Sequence, residues 1–186
     1  MSLLGSRIAG GNTAYNRVKS DFYPTPPEAT QALLNFLRLP IGTKVWEPAY
    51  GSGCMAEVMR KNGLTVIGTD IETGTDYLTA SLPESDVSWI ITNPPFSIAD
   101  GFIERSYEHC LPFALLLKTQ FWHARKRYDM FAKNRPAYIL PLTWRPDFMF
   151  KQRGKGSPLM DVTWTVWIPG NHKSAYIPLK KPVTSP

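Results

Sequence analysis

The sequence predicts a three-layer α/β domain on a mainly parallel sheet, closed by an antiparallel late strand. Three observations predict it. Short apolar runs alternate with amphipathic segments from residue 26 to residue 143. Glycine, proline or acidic residues follow most of the runs, as turns at strand ends require. Near the end, DVTWTVWIP (161–169) alternates polar and apolar residues, as a late antiparallel or edge strand would. The 186 residues fit one compact domain, and 43% of them are hydrophobic, enough for a core.

The elements follow in order. Residues 1–20 lack apolar periodicity and contain Arg7, Arg17 and Lys19, so they read as a flexible basic arm. The folded body is expected over 21–178. PPEATQALLNFL (26–37) has a helical apolar face and a proline-rich start. TKVWEP (43–48) is a short buried strand, and CMAEVMRKNG (54–63) is a helix ended by Gly63. LTVIGTD (64–70) and VSWIITNPP (87–95) are the next strands, with ADGFIERSYEHC (99–110) a helix after them. FALLLKT (113–119) is a strand, Trp122 to Arg135 a basic helix, and AYILPLT (137–143) another strand. Residues 145–160 read as a mobile basic loop and 179–186 as a tail.

Composition bounds the function. No apolar run approaches the roughly 20 residues needed to cross a bilayer, and no signal-peptide pattern is present. A cytoplasmic protein without a membrane partner is expected. Cys54 and Cys110 form no CxxC pair and His109, His123 and His172 are scattered, so no metal site is expected. A net charge of +6 favours a polyanionic partner, because basic surfaces attract phosphates and release their counterions.

In open parallel sheets, ligands bind beyond the carboxyl ends of the strands. Four clusters fall there: Glu47 to Gly53, Asp70, Asp76 with Tyr77, and Asn93 to Phe96. Gly51 and Gly53 allow a tight turn and close backbone approach before a helix N-terminus. Read narrowly, Gly51 to Ala56 is GxGxxA, which also suits a nicotinamide dehydrogenase. Glu47 favours a cationic ligand, such as a sulfonium bearing an ammonium group, over a pyrophosphate. The Asp70 carboxylate suits ribose hydroxyls. Asp76 suits the amino hydrogens of an adenine, with Tyr77 covering the ring.

NPPF (93–96) is the most specific string. An adenine amino nitrogen is a poor nucleophile, because its lone pair is delocalised into the ring. Two acceptors placed on its two N–H bonds favour a tetrahedral nitrogen. The Asn93 side-chain oxygen is one acceptor and the Pro94 carbonyl the other. Pro94 and Pro95 stiffen the backbone that carries them. Phe96 can stack on a planar target. Alignment of nitrogen, methyl and sulfur supplies the rest.

These motifs resemble the amino-directed DNA methyltransferases, specifically the small N6-adenine enzymes of the type carried by phages. DFYPTP (21–26), EPAYGSG (47–53), GTDI (68–71), DYL (76–78) and NPPF look like the family's cofactor and catalytic motifs in the gamma order. The resemblance spans about residues 20 to 170. It implies a Rossmann-like methyltransferase fold, S-adenosylmethionine as cofactor, adenine N6 in DNA as target, and a flipped base. For a phage enzyme it implies the host cytoplasm. It also implies that Tyr23, Thr25 and Pro26 border the methionine part of the cofactor. Glu47, Ala49, Gly51 and Gly53 would line its amino-acid end, Asp70 and Ile71 its ribose and adenine. Asp76 and Tyr77 would hold its adenine, and Asn93 joins the cofactor site to the target site.

The family's target-recognition region has no counterpart here. Only the basic helix and the loop with Arg145, Lys151, Arg153 and Lys155 remain to contact DNA, so short or relaxed sequence specificity is expected. RNA adenine and a protein glutamine are alternative targets for the same chemistry. Both a monomer and a dimer stay open.

Overall fold

A computed structural model describes residues 24–84, 86–148, 158 and 160–183 of the chain. The predicted arm and most of the predicted basic loop, with Lys151, Arg153 and Lys155, lie outside the described residues.

Seven strands form one sheet in the order β2-β1-β3-β4-β6-β5-β7. They are β1 (Lys44–Glu47), β2 (Thr65–Gly68), β3 (Trp89–Thr92), β4 (Phe113–Lys118), β5 (Tyr138–Pro141), β6 (Val162–Trp167) and β7 (Ala175–Tyr176). Strands β2, β1, β3 and β4 run parallel, whereas β6 is antiparallel to both β4 and β5. Helices α1 (Pro27–Leu37) and α2 (Cys54–Lys61) cover one face with β-strand residues Val45, Ile91, Leu116 and Trp164. Helix α3 (Ala99–Glu108) covers the other with Trp46, Ile90, Leu115 and Trp167. This is the predicted three-layer α/β architecture.

Local chemistry accounts for these elements. Pro27 starts α1, where its missing N–H costs nothing. In β4, FALLL is buried at every position, as expected of a strand covered on both faces. Chain order puts β2 on one side of β1 and β3 on the other. The carboxyl ends of β1 and β3 are therefore adjacent, and a crevice opens where the order reverses.

Three sequence expectations are corrected. First, of the two readings of 161–169, the antiparallel strand holds and the edge strand does not. All six residues of β6 are buried, and the strand lies between β4 and β5. Its alternation marks two covered faces: Val162, Trp164 and Val166 pack toward α1 and α2, while Trp167 packs on the α3 side with buried Thr163 and Thr165. Second, Trp122 to Arg135 is not one helix. It forms short 3-10 turns at Thr119–Trp122 and Arg125–Arg127, then α4 (Tyr128–Lys133). Three consecutive cations oppose the positive end of a helix dipole, and Asp100 holds two of them instead. Third, Leu179 does not begin a tail: it is 7% exposed, and its N–H donates to the Pro141 carbonyl at 2.9 Å. Among the described residues, no helix is long and apolar enough to cross a membrane.

The Trp164 indole N–H donates to the Ala29 carbonyl at 2.8 Å, tying the central β6 to α1. Trp164→Phe is expected to cost about 2 kcal/mol, from the lost hydrogen bond and the space left behind. A urea midpoint equal to that of the unmodified chain would show the link to be dispensable.

Candidate active site

The crevice between β1 and β3 is lined by Pro24, Thr25, Glu47, Ala49, Tyr50, Gly51, Ser52, Cys54, Met55, Asp70, Ile71, Glu72, Asn93 and Pro95. Strand β1 ends in Glu47, which is only 2% exposed. Its Oε2 is buried and meets no hydrogen-bond donor, while the Ala56 N–H at the start of α2 donates to the same carboxylate. Burial pushes the Glu47 carboxyl up to about 8, against the opposing charge of Arg60 and the Ala56 N–H; the Asp70 charge raises it further.

The turn after β1 is fastened to the end of β2. Tyr50 N–H donates to the Thr69 carbonyl at 3.0 Å, and Gly51 N–H donates to Asp70 Oδ2 at 2.8 Å. The other carboxylate oxygen, Oδ1, accepts from Glu72 N–H at 3.0 Å and caps the 3-10 turn Ile71–Thr73. Asp70 thus positions the turn by both oxygens; each retains a lone pair for a ligand hydroxyl. Ile71 stands beside it, 69% exposed.

Tyr50 explains two glycines. Its ring lies against Gly68, where an added Cβ would come within 1.9 Å of Tyr50 Cδ2. At Gly53, whose φ is +76°, a Cβ would fall 2.7 Å from the Tyr50 hydroxyl oxygen. Arg60 holds the ring from α2. Its Nη1 donates to Tyr50 Oη at 3.2 Å and its Nη2 to the Val66 carbonyl at 3.1 Å.

The NPPF segment closes the other side. Asn93 follows β3, and its Nδ2 donates to Thr25 Oγ1 at 3.0 Å, which orients the amide. Thr25 is 4% exposed. Pro95 lines the crevice and Pro94 is buried behind it. Phe96 begins a 3-10 turn (Phe96–Ile98) leading into α3, and Lys118 Nζ lies 4.3 Å from its ring centroid.

The structure therefore brings Thr25, Glu47, Ala49, Gly51, Asp70, Ile71, Asn93 and Pro95 to one cavity. Pro26 and Gly53 are buried next to it in the chain but do not line it. Tyr23 lies outside the described residues. Asp76 and Tyr77 do not line the crevice. Tyr77 is 2% exposed and packs against Trp46 and Phe102 in the core. Ser106 gives its proton to the Phe102 carbonyl, so the Tyr77 hydroxyl donates to Ser106 Oγ, at 2.7 Å. A phenol so held cannot cover a ligand ring. Asp76 Oδ1 accepts from Leu78 N–H at 3.0 Å in a local turn.

The sequence reasoning missed Arg60 and the walls formed by Tyr50, Cys54, Met55 and Glu72. Arg60 was findable. It lies four residues after Ala56 on one helix, so a side chain on that face must reach back toward the end of β1.

No protein-family model matches the chain, and no curated protein matches it. Among solved structures, 41 chains match. One is a candidate RNA methyltransferase of Pyrococcus horikoshii, with a TM-score of 0.55 at 13% identity over 89% of this chain and 98% of its own. A modification subunit of a candidate type I restriction enzyme from Vibrio vulnificus reaches 0.58 at 12% identity, over 94% of this chain and 50% of the subunit. A candidate hemolysin of Lactococcus lactis reaches 0.54 at 13% identity, over 80% and 89%. This chain thus spans about half the length of the Vibrio subunit. The likeness shows a shared Rossmann-like α/β fold, the fold class predicted from the sequence. The spread of descriptions means that function must be argued from the site.

Two outcomes test this geometry. The folded Glu47 value of about 8 exceeds its ordinary 4.5, so the folded chain holds a proton that the unfolded chain releases between those values. That contribution to stability is complete below about pH 4.5 and is lost as pH rises through about 8. Glu47→Gln is expected to flatten the fall in urea stability across this window; parallel profiles would contradict the assignment. Gly68→Ala should cost about 2–3 kcal/mol through the Tyr50 clash. The Tyr50→Ala/Gly68→Ala pair should cost less than the sum of its members, and strict additivity would place the ring elsewhere.

Proposed function

We propose that this chain is an S-adenosylmethionine-dependent methyltransferase that acts on the N6 amino group of adenine in DNA. The observation that carries the reading is the charge and reach of the crevice. Among the described residues it holds three carboxylates, Glu47, Asp70 and Glu72, and no lysine or arginine, and it runs to Asn93. A cationic ligand with a ribose suits those walls. A dinucleotide pyrophosphate would meet carboxylates without a cation, which counts against the dehydrogenase alternative.

S-adenosylmethionine, when bound, supplies an electrophilic methyl group on a sulfonium. The residues that would hold it are Glu47 at the ammonium group, Asp70 at the ribose hydroxyls, and Ala49, Gly51 and Ile71 along its length. Glu47 is buried with one oxygen unpartnered, so a cation there lets it ionise and releases its proton. Asn93, held by Thr25, presents its side-chain oxygen to one amino hydrogen of the target. The Pro94 carbonyl takes the other, and Phe96 offers a ring face to the base. These acceptors draw electron density toward the amino nitrogen, and the proton leaves after methylation.

DNA is supported by the net charge of +6 and by the fold shared with the Vibrio modification subunit. The Pyrococcus neighbour is described as acting on RNA. Labelled methyl transfer to DNA, RNA and protein fractions separates these targets. Label in DNA, recovered as N6-methyladenine, is expected; label confined to RNA or protein would overturn the assignment. Asn93→Ala should lower kcat by about 100-fold or more while cofactor affinity stays within a few-fold. Unchanged turnover in that variant would refute the acceptor role.

A further inference from the structure

Positive charge concentrates beside the NPPF segment, and methyl transfer does not use it. Residues 119–135 carry Arg125, Lys126, Arg127, Lys133 and Arg135 against a single acid, Asp129. Three consecutive cations repel one another, so a counter-ion must hold the turn Arg125–Arg127 in place. Asp100 is that counter-ion. It accepts from Lys126 Nζ at 2.8 Å and from Arg127 Nε at 2.7 Å. Asp100 is the second residue of α3, which begins directly after the Phe96–Ile98 turn. The ion pair therefore brackets the basic turn to the catalytic segment.

The three cations have different tasks. Arg127 is the inner one, with a side chain only 17% exposed. Its Nη1 donates to the Phe121 carbonyl at 3.1 Å, and its guanidinium carbon sits 3.8 Å from the Phe121 ring centroid. Arg125 and Lys126 face outward. Arg125 is exposed and makes no ion pair among the described residues. The Lys126 side chain is 70% exposed, so water screens its pairing with Asp100. Because Arg127 already answers the Asp100 charge, Lys126 can turn to a second anion without unbalancing the bracket. Tyr128 follows, 74% exposed. Two outward cations beside an exposed aromatic ring match a chain that alternates phosphates with flat bases.

We propose that Arg125, Lys126 and Tyr128 form the surface that grips the DNA strand next to the target base. Arg125 and Lys126 hold backbone phosphates, and Tyr128 stacks on a neighbouring base. Arg127 and Asp100 set the distance of this grip from NPPF. The proposal rests on the DNA reading of the active site and names where its substrate lies.

The test uses the full chain with fluorescent DNA oligonucleotides, single-stranded and duplex, without cofactor, titrated across a range of salt. The Arg125→Gln/Lys126→Gln variant should bind more weakly. Its plot of log affinity against log salt should be shallower by about 0.9 per lost contact on duplex and about 0.7 on single strands. Tyr128→Ala should lower affinity several-fold and leave the slope unchanged. Lys180→Gln/Lys181→Gln, in the segment that borders Asn35 and Phe36 of α1, should change neither. Arg127→Gln should lower the thermal midpoint, whereas the outward variants should not. An unchanged slope in the Arg125/Lys126 variant overturns the proposal. So does matched RNA bound more than tenfold tighter than DNA. Binding with the expected slopes but no methyl transfer to DNA would sink the proposed activity and leave this surface standing.

Discussion

Everything at the site depends on one reversal of strand order. Strand β1 pairs in parallel with β2 on one side and β3 on the other. The chain leaving β1 and the chain leaving β3 must therefore turn away from each other, and a crevice opens between them. Glu47 and the glycine turn stand on one wall, Asn93 and the prolines on the other. Hydrogen bonds lock both walls: Asp70 holds the Gly51 N–H, and Thr25 holds the Asn93 amide. Two motifs far apart in sequence thus line one crevice.

Most of this was legible in the sequence, for physical reasons that also explain the exceptions. Glycines, prolines and acids at strand ends have few other uses, so EPAYGSG, Asp70 and NPPF could be placed on one rim. The rhythm of apolar runs could not distinguish an edge strand from β6, because threonine is as acceptable inside a sheet as on its surface. Nor could it show that Tyr77 is core. A tyrosine after an aspartate in a glycine-rich loop looks like a ligand platform until Ser106 and Trp46 appear beside it. The Thr25–Asn93 bond spans 68 residues and leaves no local trace. Thr25, assigned to the cofactor by motif resemblance, lines the crevice and also orients the Asn93 amide.

Tyr50 shows how packing and chemistry share residues. The glycines of the turn read as room for a ligand, and Gly53 and Gly68 do make room, but for the Tyr50 ring. That ring, clamped by Arg60, becomes a rigid wall of the crevice. Arg60 also carries the positive charge that most opposes the upward shift of Glu47. One α2 side chain thus supports the wall and moderates the buried acid. A substitution there would disturb shape and charge together, so neither could be inferred from activity alone.

The two sides of Asn93 are electrostatic opposites. Behind it the crevice is acidic, and the buried Glu47 Oε2 meets no hydrogen-bond donor. Beyond Phe96 the surface is basic and wet. On the proposed reading, a cationic cofactor and a polyanionic strand would have separate places. Asp100 keeps the boundary sharp. It pairs with Arg127, the cation nearest the core, and with the exposed Lys126, while Arg125 makes no ion pair among the described residues. A single acid at the start of α3 thus fixes the basic turn near NPPF, and on the proposed reading that position would set how far the strand lies from the base it presents.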